Sequence, residues 1–212
     1  MSNIVNLIGL TIGIFGFLFF FWKRTKEDYS SNEIFSFAFT LLGSILLGSL
    51  LGYFISSRFS LKSSVFNLSG LWFWGGFIFG CLGFSLAYFK FKLRFFETLE
   101  AGTVGFLFFY LSILLSFSLQ VTDIKLLLFV ALQALLISLF FFLDSRYKSF
   151  SWYKSGKIGF TGLTILGIFF LMRAIVALLD PSMLSFVGKV DAIVDSLVAF
   201  AFFITLFNLS GN

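Results

Sequence analysis

The sequence predicts an all-α, polytopic membrane protein built as a bundle of seven transmembrane helices. Of its 212 residues, 59% are apolar and only 12% are charged. A soluble domain would carry about a quarter charged residues, so the composition excludes a water-soluble globular protein. The apolar residues also fall into seven long runs. Runs of this length without alternation of polar and apolar positions exclude barrel strands, which leaves helices as the spanning elements.

Each run is long enough to cross a bilayer. The runs contain 18 to 24 residues, which at about 1.5 Å per residue cover about 30 Å of hydrocarbon. Five of the seven contain no charged residue. In chain order the predicted spans are 4–22, 34–57, 71–89, 101–119, 126–143, 158–179 and 192–209. Because the connections between them are short, residues 1–212 are predicted to form a single integral-membrane domain.

Lysine and arginine in the connections predict the orientation. Ten lie on one side: Lys23, Arg24, Lys26, Lys90, Lys92, Arg94, Arg146, Lys148, Lys154 and Lys157. Four lie on the other: Arg58, Lys62, Lys125 and Lys189. This asymmetry predicts an outside N-terminus and a cytoplasmic C-terminus. The basic excess indicates anionic phospholipid, and not nucleic acid, as its partner.

The start of the chain predicts a retained membrane anchor. Residues 1–3 carry no positive charge, and the basic cluster follows the first apolar run instead of preceding it. A cleaved signal peptide has the opposite arrangement. We therefore expect the first span to remain in the membrane.

Small residues recur at helical spacing on three of the predicted spans. Spacing of this kind lets the backbones of neighbouring membrane helices approach closely. The positions are Ser44, Gly48, Gly52 and Ser56 on the second span, Gly9 and Gly13 on the first, and Gly76 and Gly80 on the third. We expect tight helix packing along these faces.

Two charged residues fall inside predicted spans, Arg173 in the sixth and Asp195 in the seventh. Ionisable groups at membrane depth mark functional sites or internal pairs. Because the two spans run antiparallel and both residues lie near the outer end, an ion pair between them is one interpretation. A site for an anionic lipid headgroup at Arg173 is the other. Asp195 is the only acidic residue inside a predicted span.

Other polar and aromatic residues could line a cavity open to the outside. Gln133 lies in the fifth span and Tyr110 midway along the fourth, while Tyr53, Trp72 and Trp74 lie near the outer interface. An aromatic belt at the membrane surface is the alternative interpretation of the last three.

Several classes of chemistry are excluded or lack their residues. The chain has no histidine, which excludes a Ser-His-Asp triad and imidazole-ligated metals. The single cysteine, Cys81, excludes an intramolecular disulfide. We find no carboxylate pair, no nucleophile beside a base, no metal-ligand set and no glycine-rich phosphate loop. No metal or cofactor is therefore predicted.

The order of several short motifs resembles the prolipoprotein diacylglyceryl transferase family of seven-helix bacterial inner-membrane enzymes. Gly48-Ser49-Leu50-Leu51-Gly52-Tyr53 resembles the family's Gly-Ala-Arg-Leu-Gly-Tyr stretch. Gly70-Leu71-Trp72-Phe73-Trp74-Gly75-Gly76 resembles its Gly-Leu-Ser-Phe-His-Gly-Gly. Phe95-Phe96-Glu97 resembles its Phe-Leu-Glu, and Ala131-Leu132-Gln133-Ala134-Leu135 resembles its Leu-Tyr-Glu-Ala-Leu. Lys154 to Gly156 followed by Arg173 is similar to the Lys-Pro-Gly and later Arg of its sixth helix.

The resemblance implies transfer of the diacylglyceryl group of phosphatidylglycerol to a lipobox cysteine. The departures fall on the residues that would do this chemistry. The family's second-helix Arg is Leu50 here, its third-helix His is Trp74, its fifth-helix Glu is Gln133, and its Glu after the sixth-helix Arg falls on Ala177. Its Arg-Ile-Gly-Asn stretch corresponds to 114–117. No catalytic residue can be named.

The sequence therefore predicts a divergent pseudoenzyme that binds lipid or a partner such as a membrane protein or lipoprotein. Its expected headgroup-binding residues are Arg173, Tyr53, Gln133 and Trp74, for an anionic, phosphatidylglycerol-like phospholipid. One alternative is an active transferase with a rearranged site, in which Arg173 binds the phosphate and Asp195 is the base. Others are a small-solute transporter or its binding subunit, and a structural protein whose small-residue stripes bury a partner's helix.

Overall fold

The computed structural model describes residues 2–58, 68–121, 123–150, 158–181 and 185–210. These residues form seven helices long and apolar enough to cross a membrane, which confirms the predicted all-helical fold with seven spans. The helices are α1 (Ser2–Thr25), α2 (Ser31–Arg58), α3 (Leu71–Phe91), α4 (Phe95–Val121), α5 (Ile124–Arg146), α6 (Phe160–Leu179) and α7 (Val190–Ser210). Short 3-10 turns at Leu68–Gly70 and Tyr147–Ser149 precede α3 and follow α5.

Helix α4 begins at Phe95, well before the predicted start at residue 101. Glu97 lies in its first turn, where the helix dipole favours a carboxylate, and it pairs with Arg94 at 2.8 Å. The extension also brings Glu100 into the helix, where its side chain is completely buried. The prediction that Asp195 is the only acidic residue inside a span is therefore wrong, because charged residues at the start of α4 interrupt the apolar run without ending the helix.

Cross-helix hydrogen bonds establish how the helices run. Asn6, near the start of α1, accepts from Gln120, near the end of α4, at 2.6 Å. At the opposite end of the bundle, Arg24 bonds to Glu100 at 2.6 Å, so α1 and α4 are antiparallel. We name the two ends of the bundle the Arg173 end and the Glu100 end. The Arg173 end contains the starts of α1, α3, α5 and α7.

Helix α4 is central and packs against α1, α5 and α6, whereas α2 packs chiefly on α3 and α7 chiefly on α6. Small residues make the closest of these contacts. A Cβ atom at Gly48 would collide with the carbonyl oxygen of Gly75, and one at Gly9 would collide with Ser116. The expected close packing of the glycine-bearing faces is thus confirmed for α2 against α3 and for α1 against α4.

The core is largely aromatic. At the Arg173 end, the ring of Tyr110 packs on Phe73 at 5.4 Å and on Phe169 at 5.6 Å between centroids. A second cluster joins α1 and α2 through Phe21 and Phe37, whose rings stack at 5.5 Å. Much of the remaining apolar surface is exposed, as expected for helices that face lipid.

Candidate functional site

Arg173 on α6 is the centre of a buried polar cluster. Its side chain is 0% exposed. Its Nε donates to Asp195 Oδ1 of α7 at 3.3 Å, and its Nη1 donates to the Tyr110 hydroxyl of α4 at 3.0 Å. The guanidinium carbon also lies 3.5 Å from the centroid of the Phe73 ring of α3. One side chain therefore contacts α3, α4 and α7.

The segment before α7 covers the rest of the guanidinium. Ser185 accepts from Arg173 twice, at its hydroxyl from Nη1 at 3.1 Å and at its carbonyl from Nη2 at 3.2 Å. Its hydroxyl is also 2.6 Å from the Tyr110 hydroxyl. The next residue, Phe186, is fully buried with its ring centroid 4.5 Å from the guanidinium carbon. All three nitrogens of the guanidinium thus have acceptors inside the protein.

Two local features position this segment. Ser185 has φ of 80°, a left-handed conformation that is costly for a residue with a side chain and that persists only when its surroundings enforce it. Gly70 lets the segment approach α3, because a Cβ atom at Gly70 would collide with the backbone of Phe186. The glycine before α3 and the strained serine before α7 therefore act together to place the Ser185 oxygens on Arg173.

Asp191 in the first turn of α7 secures the other side of the segment. Its carboxylate accepts from the backbone N–H of Val187 and from the indole N–H of Trp74. Asp195 is held less completely. Its Oδ2 is buried and has no hydrogen-bond partner among the described residues.

Within the described residues, the cluster joins helices, and the guanidinium nitrogens bond to protein atoms. A guanidinium available for an oxyanion presents its paired nitrogens to an open space, and here those nitrogens bond to Tyr110 and Ser185. In the part of the chain that the structure describes, no three Asp, Glu or Cys side chains come together as a metal site would require. Among the described residues, the cluster joins α6 to α3, α4 and α7 through Arg173.

The structure brings some of the predicted site residues together and separates others. Arg173 and Asp195 lie in one cluster, and Trp74 joins it through Asp191. Gln133 on α5 is 0% exposed, and neither of its amide atoms has a hydrogen-bond partner among the described residues. Tyr53 is 65% exposed near the end of α2 and contributes nothing to the cluster.

A second buried charge lies at the Glu100 end. Glu100 accepts from Arg24 at 2.6 Å and, at the start of α6, from the backbone N–H groups of Gly159 at 2.9 Å and Thr161 at 3.2 Å. Arg24 also pairs with Asp144 of α5 at 2.7 Å. The Glu100 carboxylate therefore joins α4 to α1 and α6. At the start of α6 it accepts from backbone N–H groups that have no partner within that helix.

A cavity of about 290 Å³ lies between the α2–α3 pair and helices α4, α6 and α7. Its walls include Leu41, Gly76, Gly80, Cys81, Ser85, Phe95, Gly102, Thr103, Leu166 and Phe202. The hydroxyl of Ser85 donates to Cys81 O and that of Thr103 to Leu99 O, so these two polar residues bond to their own helices. The cavity therefore offers an almost entirely apolar lining.

Sequence reasoning missed Glu100, Ser185 and this apolar cavity, whose lining includes none of the residues expected around an outward-facing cavity. The acidic residues at 97 and 100 lower the local hydropathy, so the predicted span begins after them. Composition therefore gives no indication that Glu100 is buried. For the segment of Ser185 and Phe186 that covers Arg173, the available sequence signal is Gly70. A glycine immediately before a membrane helix indicates that another part of the backbone approaches closely there. The cavity arises from packing between helices distant in sequence, which periodicity does not report.

No protein-family model matches the chain, and comparison with curated proteins and with solved structures finds no match. The resemblance to the transferase family therefore rests on the sequence motifs alone.

Proposed function

We propose that this chain is a multi-pass membrane protein that binds a membrane phospholipid without chemically altering it. In this proposal the chain is a divergent, non-catalytic relative of the diacylglyceryl transferases. The apolar cavity between the α2–α3 pair and helices α4, α6 and α7 carries the proposal, because such a cavity suits an acyl chain.

The position of the opening supports this occupant. Cys81 and Ser85 line the cavity and are exposed, and both lie within α3, a helix of membrane-spanning length. In a bilayer the opening would face hydrocarbon, where lipid chains are the surrounding solvent. An acyl chain could enter from the side without crossing a polar layer.

The size of the cavity favours a chain over a helix. A membrane-spanning helix about 30 Å long and about 10 Å in diameter occupies roughly 2,000 Å³ or more, several times the volume of this cavity. A flexible hydrocarbon chain fits a narrow space of this volume. The alternative of a partner's transmembrane helix buried between α2 and α3 is also disfavoured, because Gly48 and Gly75 already contact each other there.

The polar clusters support a binding role instead of catalysis. Arg173 would have to stabilise a departing phosphate, but its nitrogens bond to Asp195, Tyr110 and Ser185. At the position where the transferase family has histidine, Trp74 donates its indole N–H to Asp191. Losing one positioned donor typically lowers a rate by about 10² to 10³, and several are replaced here.

The proposed location is the plasma (inner) membrane of a bacterium, with the Arg173 end outside and the Glu100 end in the cytoplasm. The excess of lysine and arginine in the connections at the Glu100 end supports this orientation. Fusing a reporter enzyme that is active on only one side of the membrane to the C-terminus tests it directly.

Native mass spectrometry of the purified protein tests lipid binding. Cys81→Phe and Gly102→Val each place extra side-chain volume in the cavity, and a Cβ at Gly102 makes only an ordinary 3.4 Å contact with Leu41. We expect both variants to lose co-purified phospholipid. Leu86→Phe is the matched control, since Leu86 is exposed on α3 outside the cavity. Equal lipid occupancy in the wild type and both cavity variants would contradict the proposal.

Complementation tests the absence of catalysis. We expect the chain to reach the membrane of a bacterium depleted of its prolipoprotein diacylglyceryl transferase and to leave its lipoproteins unmodified. Restored growth with modified lipoproteins would instead establish the rearranged transferase, with Arg173 and Asp195 as its first candidates for mutation.

A further inference from the structure

The turn between α3 and α4 places three basic residues at one end of the cavity. Lys90, Lys92 and Arg94 lie between Ser85 and Phe95, and those two residues line the cavity. Lys90 follows Ser85 by five residues of helix, about 7.5 Å at helical rise. Arg94 directly precedes Phe95. The headgroup of a lipid whose chain occupied the cavity can therefore reach this turn.

The turn is held in a defined conformation. Lys92 adopts a left-handed conformation with φ of 54°, and its N–H donates to the carbonyl of Tyr88 at 2.9 Å. Leu93 is only 3% exposed, and the N–H of Arg94 donates to the Tyr29 hydroxyl at 3.0 Å. The basic side chains therefore extend from an anchored backbone.

Two of the three charges are available to an anion. Arg94 is paired with Glu97 at 2.8 Å. Within the described ranges, the ammonium groups of Lys90 and Lys92 have no carboxylate within ion-pair distance, and both residues are exposed. Arg173, at the opposite end, is buried, and each of its three nitrogens already has an acceptor in the protein. Among the described residues near the cavity, Lys90 and Lys92 therefore offer accessible positive charge.

We propose that the cavity and this turn form one site for an anionic glycerophospholipid, with an acyl chain between α3 and α7 and the phosphate against Lys90 and Lys92. The proposal rests on the lipid-binding function proposed above and adds the lipid class and the position of the headgroup. Lysine suits this role because its ammonium is a compact point charge that binds phosphate without fixed geometry.

Competition between two lipids tests the site. The purified protein is incubated with an equal mixture of phosphatidylglycerol and phosphatidylcholine of identical chains, and bound lipid is counted by native mass spectrometry. We expect wild type to prefer phosphatidylglycerol and Lys90→Gln/Lys92→Gln to lose about fivefold of this preference for each ammonium removed. Lys23→Gln/Lys26→Gln is the matched control, because both residues are exposed at the Glu100 end but lie at the end of α1 and just after it.

The outcomes separate this inference from the proposed function. Loss of preference in the 90/92 double variant alone, with total lipid retained, supports the site. An unchanged preference, or an equal loss in the 23/26 control, overturns the headgroup position while lipid binding itself stands. If wild type binds neither lipid, the proposed function fails and this inference fails with it.

Discussion

The guanidinium carbon of Arg173 lies 3.5 Å from the centroid of the Phe73 ring. This contact joins α6 to α3, a helix whose other packing is chiefly on α2. A desolvated cation–π contact contributes about 2 kcal/mol or more. The buried arginine is therefore one of the attachments of the α2–α3 pair to the rest of the bundle, beside the Phe21–Phe37 stack and the Trp74–Asp191 hydrogen bond.

Removing this arginine should destabilise the protein strongly. Arg173→Met keeps the length of the side chain but removes its charge, which leaves Asp195 buried without its partner. We therefore expect the free energy of unfolding to fall by about 3–5 kcal/mol. Denaturant titration in detergent micelles measures it. Adding Asp195→Asn should cost less than the sum of the two single changes, by about 0.5–3 kcal/mol. Strict additivity would show that the two residues do not interact.

Glu100 should stabilise the Glu100 end in the same way. Glu100→Gln removes the charge that pairs with Arg24 and accepts from the N–H groups of Gly159 and Thr161. We expect a loss of about 1–3 kcal/mol, because a buried donor loses its charged acceptor. Thermal unfolding of Glu100→Gln against Glu27→Gln, an exposed acid at the same end, makes the comparison. Equal stability of the two variants would contradict the buried role.

The glycine contact between α2 and α3 should tolerate no side chain. Gly48→Ala places a methyl group against the Gly75 carbonyl, and we expect overpacking to cost at least about 1–3 kcal/mol. Gly43→Ala is the control on the same helix, because a Cβ there meets no atom within 4 Å. It should be neutral or stabilising by up to about 1 kcal/mol, since alanine favours the helix. The melting temperature of Gly48→Ala should therefore fall below that of the wild type, whereas that of Gly43→Ala should stay the same or rise. Equal melting temperatures of the two variants would contradict the close contact.

Gln133 should be replaceable by a residue without polar atoms. Its amide is buried and has no hydrogen-bond partner among the described residues, a burial that costs about 1–3 kcal/mol. Gln133→Leu should therefore raise stability while leaving lipid occupancy unchanged. Gln120→Leu is the contrasting change, since that amide donates to Asn6 and to the Ser116 carbonyl, and it should lower stability. If Gln133→Leu instead lost its co-purified lipid, Gln133 would belong to the lipid-binding site, as the sequence predicts.

The parts of the structure that depend on local pattern could be predicted from the sequence. Apolar run length predicts the seven helices, because a membrane span needs a minimum of apolar residues. The spacing of Gly48 and Gly52 predicts close packing, because residues four apart share one helix face. The depth of Arg173 and Asp195 in adjacent antiparallel spans likewise suggests that they meet.

The rest depends on how distant segments fold onto one another. Ser185 accepts from Arg173 only because the chain before α7 turns inward with a left-handed residue, and hydropathy does not report backbone direction. Glu100 is buried because α4 begins earlier than its apolar run and meets the start of α6. The exposure of Tyr53 shows the converse, since an aromatic residue near the end of a span can face outward.

The contact between Gly48 and Gly75 is backbone against backbone, which limits how the molecule can deform. Side-chain rotation cannot widen or narrow such a contact, so we expect α2 and α3 to move together as a rigid pair. We then expect changes in the width of the cavity to come from movement of its opposite wall, which includes α4 and α7. Deuterium exchange of α7 backbone amides, compared with those of α3, should report that asymmetry.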